Sequence, residues 1–560
     1  MTNSQSILSS STKDWLRIIQ KKYDVPGIAV EIVASPPSPD PSAQDEMRSE
    51  ILTFGSRTLN GDPLTPDSLF CISSNTKLFV AISIGILIHR NTTLPDGNTL
   101  GWNTKMIDVL TGWGLVDKEA EREATIHDLL TMRTGVPFHP YAPNHADPAK
   151  LLEMVSNLPP FAPFRTKWQY NNDNYLILAH LVSRIAGQPF TEFVQTSILK
   201  PLGMNSAVFD PVDAKKTGHR TDTALRVGEE MEVVYVDDDG EEVKIKGKKR
   251  NIDWWAKGRG EGMWGAAGLI MSANDVTQWL KELISPTTIP SSILEECSQP
   301  HAEAENLMFP EMENSSYGYG QWISYYHGHK VISHYGRQLG QNTIFVRLPE
   351  HGIAFGVMNL GDGIGSSINR AVGYTILDEL LGLRTKNWEE WEECILKDWV
   401  SLQAKQNGNT PNNQVETVKL DLDVEGSYHH LAWGDLNIRR FLTQGEDIHI
   451  GHLLQRQTRL SLPTYISDMP GREDWYILLD LTDSHFGWTV IQLHNDHTHS
   501  EVINNGIVRV LGSGEAIVNE DGMGMFVGFW NYDPMTYRRI TEGQDPRISA
   551  EVWFDRVARD

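Results

Sequence analysis

An α+β domain, built from an antiparallel sheet and a helical block and followed by an all-β barrel-like domain, is the fold the sequence predicts. Strand-like stretches stand at both ends of the first 385 residues with long helical patterns between them, so the sheet draws on both ends of that segment. Beyond residue 415, short apolar runs recur at fairly regular spacing between Gly, Asp and Pro, the pattern of an antiparallel barrel or sandwich. Length agrees: 560 residues with 40% hydrophobic content are too many for one ordinary core and too apolar for a disordered chain. The expected division is residues 1–385, a connecting segment 386–414, and residues 415–560.

In chain order, VPGIAVEIV (Val25 to Val33) and ILTFGSRTL (Ile51 to Leu59) are β-branched runs around the insert SPPSPDPSAQDE, which reads as a hairpin with a long polar loop. From Asp67 the pattern is helical: LFCISSNTKLFVAISIGILIHR, then ATIHDLLTM, then NYLILAHLVSRIAG, closed by Gly187. Alternating runs between Met231 and Lys246 flank Asp237-Asp238-Asp239-Gly240, a hairpin turn. HKVISHYG and NTIFVRLPEHGIAFGVMNL are strands, with a turn at Pro349 to Gly352. NWEEWEECILKDWVSLQ is an acidic helix, and KQNGNTPNNQ after it is a polar linker. In the last part GDLNIRRFL, DIHIGHLL, DWYILLDL, GWTVIQLH, GIVRVLG, GMFVGFW and AEVWFDRV read as strands.

Charge and cysteine content narrow the function. The 73 acidic against 49 basic residues give a net charge of -24 with no basic block, which repels a phosphate backbone and argues against nucleic acid as partner. The opening MTNSQSILSSSTKDWLRIIQKK lacks a signal-peptide pattern, and the apolar run around Val80 to Ile88 is too short for a membrane span, so a soluble, cytoplasmic protein is expected. Cys71, Cys297 and Cys394 are far apart and odd in number, which supports neither a disulfide framework nor a cysteine-based zinc site. No cofactor and no metal is called for; His494, Asp496, His497 and His499 read as a solvated loop.

A serine three residues before a lysine on a helix puts hydroxyl and amine on one face, where a desolvated amine can take the hydroxyl proton. The pattern occurs at Ser10/Lys13, Ser74/Lys77 and Ser197/Lys200. Ser10 lies in a polar leader and Ser197 ends a helix before Pro201-Leu202-Gly203, so only Ser74 opens a long apolar helix able to desolvate its lysine. Tyr170-Asn171-Asn172 adds a phenol that can act as base if it ionises beside cations, and an amide able to hold a carbonyl and position the lysine. The third element is a cation on an edge strand followed by glycine, and His334-Tyr335-Gly336 fits; a literal Lys216-Thr217-Gly218 stands in a polar stretch without a strand pattern. Trp254 and Trp255 could line an acyl pocket or cap the core.

These segments carry a resemblance. PDSLFCISSNTKLFVA, TIHDLLTMRTGVP, WQYNNDNYLILAHLV, SILKPLGM, GAAGLIMSANDVTQWL and HYGRQLGQNTIFV, in this order over roughly residues 15 to 385, are similar to the serine β-lactamase and penicillin-binding protein family, in its class C, esterase and D-aminopeptidase branch. The resemblance implies that Ser74 is the acylated nucleophile, Lys77 its proton acceptor, Tyr170 the general base and Asn172 a substrate contact. It implies that His334 stands where many members have the Lys of Lys-Thr-Gly, that Gly336 follows as the motif's glycine, and that the N–H groups of Ser74 and Arg337 form the oxyanion hole. Histidine in place of lysine weakens the case for penicillin-type substrates and favours an ester or amide of a small molecule or peptide. GSYHHLAWGDLNI and AEVWFDRV resemble the lipocalin-like barrel appended to D-aminopeptidase-like members. A serine hydrolase is therefore expected. An acyltransferase using the same residues is the alternative, a non-catalytic binding protein a weaker one, and a homo-oligomer stays open.

Overall fold

The structure is a computed structural model that describes residues 6–35, 47–236, 240, 242–255, 260–306, 308–407, 423–442, 444–458, 460–472, 474–482, 485–495, 506–531 and 536–558. Eight antiparallel strands form one sheet in the spatial order Arg48–Gly55, Gly27–Ala34, Ile353–Asn359, Gln341–Leu348, His329–Gln338, Trp322–Tyr326, Glu313–Tyr317 and Ala302–Glu303. Ile28 stands opposite Asn359 and Ala34 opposite Ile353, so the two ends of the segment meet inside the sheet, as the sequence implied. Every residue of Gly27–Ala34 and of Gln341–Leu348 is buried, because both faces of the sheet are covered. Trp15, Leu16 and Ile19 of the helix Ser10–Lys22 pack on one face with the helix Gly365–Leu381, and the helical block packs on the other.

The helix Thr76–His89 runs through the middle of that block with all residues from Thr76 to Leu87 buried. Its sequence is rich in Ile and carries Gly85, poor helix formers in isolation, so burial on all sides rather than propensity holds it. The hairpin expected around Met231 to Lys246 is present and longer, Thr223–Val236 against Glu242–Ile252. Its turn residues Asp237 to Asp239, most of the SPPSPDPSAQDE insert and residues 408–414 of the linker lie outside the described residues. The acidic helix extends over Trp388–Asn407.

From residue 426 onward the chain forms a closed antiparallel barrel of Gly426–His430, Gly434–Arg440, Tyr465–Asp468, Trp475–Leu481, Phe486–Asn495, Gly506–Val518, Gly522–Phe526 and Val552–Arg556. One expected strand is a helix: DIHIGHLL belongs to Ile448–Gln457. The Ile-His-Ile alternation suggested a strand, but Ile450, Leu453 and Leu454 recur at helical spacing and pack on Phe441, Ile466, Leu478 and Ile491 of the barrel wall. Asp447 ties the helix start by accepting from the Leu442 N–H and from Arg439.

The barrel is filled rather than hollow. Tyr428, Leu436, Leu479, Trp488, Met525 and Phe554, from six strands, belong to one core, and that core is continuous with the helical block. The join is a loop of the first part of the chain: Tyr141 packs between Trp488 and Phe529, and His139 packs edge-on against Trp433 with its Nδ1 2.9 Å from the Trp530 carbonyl. Arg472, from the turn before Trp475–Leu481, donates back to the Ala142 carbonyl at 2.7 Å and the Pro140 carbonyl at 3.2 Å.

Candidate active site

Ser74 sits in a single 3-10 turn, Ser73–Asn75, that runs directly into the helix Thr76–His89. The turn begins with Ser73 at φ +50°, the left-handed region that costs a non-glycine residue about 1 kcal/mol or more. Neighbours hold it there. The Asn75 amide donates to the Ile72 carbonyl at 3.2 Å and to Thr343 Oγ1 at 2.9 Å, Thr343 donates to the same carbonyl at 3.1 Å, and Thr76 Oγ1 donates to the Ser73 carbonyl at 2.6 Å. The strand Gln341–Leu348 thus clamps the turn that presents the serine.

Two side chains converge on the Ser74 hydroxyl. Tyr170 donates its phenol hydrogen to Ser74 Oγ at 2.7 Å, and Lys77 Nζ lies 3.1 Å from the same atom. Lys77 is sealed from solvent, and Nζ also donates to Asn172 Oδ1 at 2.8 Å and to the Ala266 carbonyl at 3.0 Å. Burial without a carboxylate partner holds the amine well below the ordinary lysine range, favouring the neutral form. A neutral amine has two hydrogens, and Asn172 and Ala266 take both. The lone pair is left for the Ser74 O–H.

Tyr170 departs from the sequence expectation. The phenol could act as base if it ionised beside cations, but burial outweighs the Ser74 bond and raises it above its usual range. Neither neighbour supplies the needed charge, because burial neutralises Lys77 and His334 alike. Tyr170 is a hydrogen-bond donor to Oγ, stacked at 6.3 Å on Trp322, with Lys77 Nζ 4.7 Å from its ring centre.

His334 lies on His329–Gln338 and is 5% exposed. Its Nδ1 donates to the Tyr335 carbonyl at 2.7 Å, which leaves Nε2, 3.2 Å from the Tyr317 hydroxyl, as the acceptor. Burial pushes it down to about 3. A charge change near neutrality is disfavoured, because the bond to the Tyr335 carbonyl favours the cation less than burial opposes it. Gly336 faces the serine turn. A Cβ there would collide with the Ile72 carbonyl and lie 2.6 Å from Thr343 Oγ1, so the glycine lets the strand press on the serine turn itself. Gly336→Ala is expected to cost about 1–3 kcal/mol of stability and to slow labelling of Ser74 by a serine-directed probe, read by thermal unfolding and intact mass. Arg337 follows, exposed, opposite Asn342 in the ladder.

The competing patterns are not assembled. Ser10 is exposed and Lys13 is paired with Glu50; Lys200 is exposed beside Ser197; Lys216 ends a short helix, pairs with Asp213 and is 69% exposed. Trp254 caps a small core with Leu69, Cys71, Ala214 and Ile270 and donates to the Thr221 carbonyl at 3.0 Å, and Trp255 packs on the same cluster. Of the histidine-rich segment, His494 is buried, and Asp496, His497 and His499 lie outside the described residues. The sequence did not single out Tyr317, Trp168 and Trp322, which wall the site. Trp322 packs against Tyr170, Tyr317, His334 and Tyr335, and Trp168 stands 5.5 Å from Tyr317. Among the described residues no helix is long and apolar enough to cross a membrane.

A serine hydroxyl held by an enclosed amine and a phenol, at the head of a buried helix beside an antiparallel sheet, defines a serine hydrolase of the acyl-enzyme type. The family model described as Beta-lactamase matches residues 51–366, more than half of the chain, and the protein belongs to that family. An unguisins hydrolase of Aspergillus campestris is 23% identical over 449 residues, covering 76% of this chain and 77% of its own. Among solved structures, the octameric penicillin-binding protein homologue from Pyrococcus abyssi superposes with a TM-score of 0.51 at 17% identity, covering 89% of this chain and 99% of that one. The D-amino acid amidase from Ochrobactrum anthropi SV3 complexed with D-phenylalanine gives 0.50 at 16% identity over 66% of this chain and 98% of its own.

Proposed function

We propose that the protein hydrolyses an ester or amide of a small molecule or peptide through an acyl-enzyme on Ser74. Lys77 takes the hydroxyl proton as Oγ attacks the carbonyl carbon, and the N–H groups of Ser74 and Arg337 receive the developing oxyanion. The proton then passes to the departing alkoxide or amine, with the Tyr170 hydroxyl as the bridge at Oγ. In deacylation a water loses its proton to Lys77, attacks the acyl carbon and releases the acid and the Ser74 hydroxyl. Asn172 keeps the Lys77 lone pair aimed and contacts substrate. The observation that carries this reading is the Lys77 amine, with both hydrogens spent on Asn172 and Ala266 and Oγ 3.1 Å away.

His334 is neutral in this reading and shapes the pocket through Tyr317, which favours substrates without a fixed carboxylate at that position. The half-buried rings of Trp168 and Tyr335 fit an acyl group with an apolar side chain. The similar unguisins hydrolase supports hydrolysis over acyl transfer to another acceptor. The 1–385 and 415–560 division is retained as two folding units that share one core.

Intact-protein mass spectrometry against p-nitrophenyl esters, D-amino acid amides and a cephalosporin tests the reading. A transient acyl adduct on Ser74 with an ester or amide is expected, and turnover with no adduct on any serine would overturn it. The pH dependence follows from Lys77. Its folded value is depressed, so activity on a neutral ester is present above that value and lost as pH falls through it, when the amine is protonated. His334→Gln is expected to leave the position of that acid limb unchanged, because His334 stays neutral until about pH 3. A limb near pH 6 to 7 that vanishes in His334→Gln would reassign the titration to the imidazole.

A further inference from the structure

Tyr170 and Asn172, which touch Ser74 and Lys77, flank a residue that touches neither. Asn171 caps the helix Asn172–Ala186 by accepting from the Asn174 N–H at 3.0 Å. Its own amide donates to the Val136 carbonyl at 3.0 Å and the Pro137 carbonyl at 2.9 Å, and its backbone N–H approaches Met132 Sδ at 3.3 Å. Asn171 is fully buried, so these bonds are not exchanged for water. The placement of Tyr170 and Asn172 therefore depends on where the chain runs at residues 136 and 137.

Those two residues lead straight into the loop whose far end is held by the barrel. His139, Tyr141 and Ala142 are all buried, and the side chains that bury them belong to Trp433, Trp488, Phe529 and Trp530. The barrel wall is cut to fit: Gly512, where Phe486–Asn495 and Gly506–Val518 slip register by one residue, has no side chain, and a Cβ there would collide with the Tyr141 hydroxyl. Two bonds from Arg472 to the carbonyls of Pro140 and Ala142 pin the loop on either side of Tyr141.

We propose that Tyr141 is a positioning residue: by seating Tyr141 beside Gly512, the barrel fixes the 136–142 loop, the loop fixes Asn171, and Asn171 sets Tyr170 and Asn172 against Ser74 and Lys77. The proposal rests on the reading of Ser74 as nucleophile. It gives the barrel a part in acylation without any barrel atom touching substrate. Tyr141 packs on Trp488 and Phe529 of the barrel rather than on the reacting groups, and its effect passes through bonds that can each be cut.

The full-length protein and a p-nitrophenyl ester give the test, through the first-turnover release of p-nitrophenolate. The amplitude of that burst counts correctly folded molecules, and its rate constant reports acylation in each of them. Tyr141→Ala removes the ring, and Gly512→Val evicts it from the other side. Both are expected to lower the rate constant, on the order of 10²-fold as for displacements of about 1 Å at a reacting centre, while Tyr141→Phe, which keeps the ring, falls much less. An unchanged rate constant with reduced amplitude would mean that Tyr141 serves stability alone and would overturn the proposal. So would Tyr141→Phe slowed as much as Tyr141→Ala, since the seat would then not be the ring. Where the harsher variants do not fold, Tyr141→Leu and Gly512→Ala are read by the same criterion. If wild type shows no acyl-Ser74, the nucleophile reading has failed, and the coupling is decided by amide exchange at Asn174, whose N–H is held by Asn171. Faster exchange in Tyr141→Leu than in wild type supports the coupling; equal exchange overturns it.

Discussion

Ser74→Ala is expected to abolish turnover, by on the order of 10⁶-fold, and to remove every covalent adduct from the protein. The size follows from the chemistry, since in the proposed reaction Oγ alone bonds to the acyl carbon while Lys77 and Tyr170 only move or share its proton. The fold should be untouched, because the hydroxyl is a partner of two side chains and of no backbone group in the surrounding turn. Intact mass after incubation with a fluorophosphonate checks it, alongside kcat on the best ester of the panel. Ser10→Ala and Ser197→Ala should label and turn over like wild type. An adduct of the same mass in Ser74→Ala would move the nucleophile elsewhere.

Lys77→Met is the second large effect. Methionine matches the length of the stem but has no basic nitrogen to take the Oγ proton, so acylation should fall by about 10²–10⁴-fold, the range of a lost general base. Stability should move little and in a direction set by two opposing terms. The buried amine's desolvation cost disappears, while Asn172 Oδ1 and the Ala266 carbonyl lose their donor, at about 1–3 kcal/mol for a buried acceptor left bare. A large drop in the acylation rate constant beside a small shift in the unfolding midpoint is the expected signature. Wild-type acylation in Lys77→Met, with the loss appearing instead in Tyr170→Phe, would return the base to the phenol.

What the sequence made legible was local or periodic. Ser74 and Lys77 stand three apart on one helix, so their approach needs only helical geometry and an apolar surround. Tyr170 and Asn172 announce a helix start, and His334 and Gly336 lie on one strand with a recognisable alternation. Charge state was not legible, because it depends on which atoms close over a group. Burial and the Tyr335 carbonyl leave His334 a neutral acceptor facing the Tyr317 hydroxyl, and a backbone carbonyl at Ala266 takes one of the amine's hydrogens; neither has a signature in the order of residues. The same reason hid the plug at Tyr141, a single aromatic in the segment YAPNHAD whose surroundings come from some 350 to 390 residues further on. The misread helix Ile448–Gln457 shows the converse, since three alternating residues satisfy a strand pattern that the next turn of apolar residues contradicts.

The pairing of Ile28 with Asn359 bears on how the protein is made. The strand Gly27–Ala34 leaves the ribosome early but stays without one of its two neighbours until residue 359 has followed it out. At 5–20 residues per second that wait lasts about 17 to 66 seconds, during which an eight-residue strand, apolar except for Glu31, has an open edge. The barrel imposes a second wait, because Gly426–His430 closes against Val552–Arg556 only once residue 556 has followed it out. Until then Tyr141 has no seat. On the proposed coupling the nascent chain acquires its sheet before its working centre, and a translation pause placed after the helix Gly365–Leu381 should yield a chain with a protease-resistant core that takes up a serine probe far more slowly than the full-length protein.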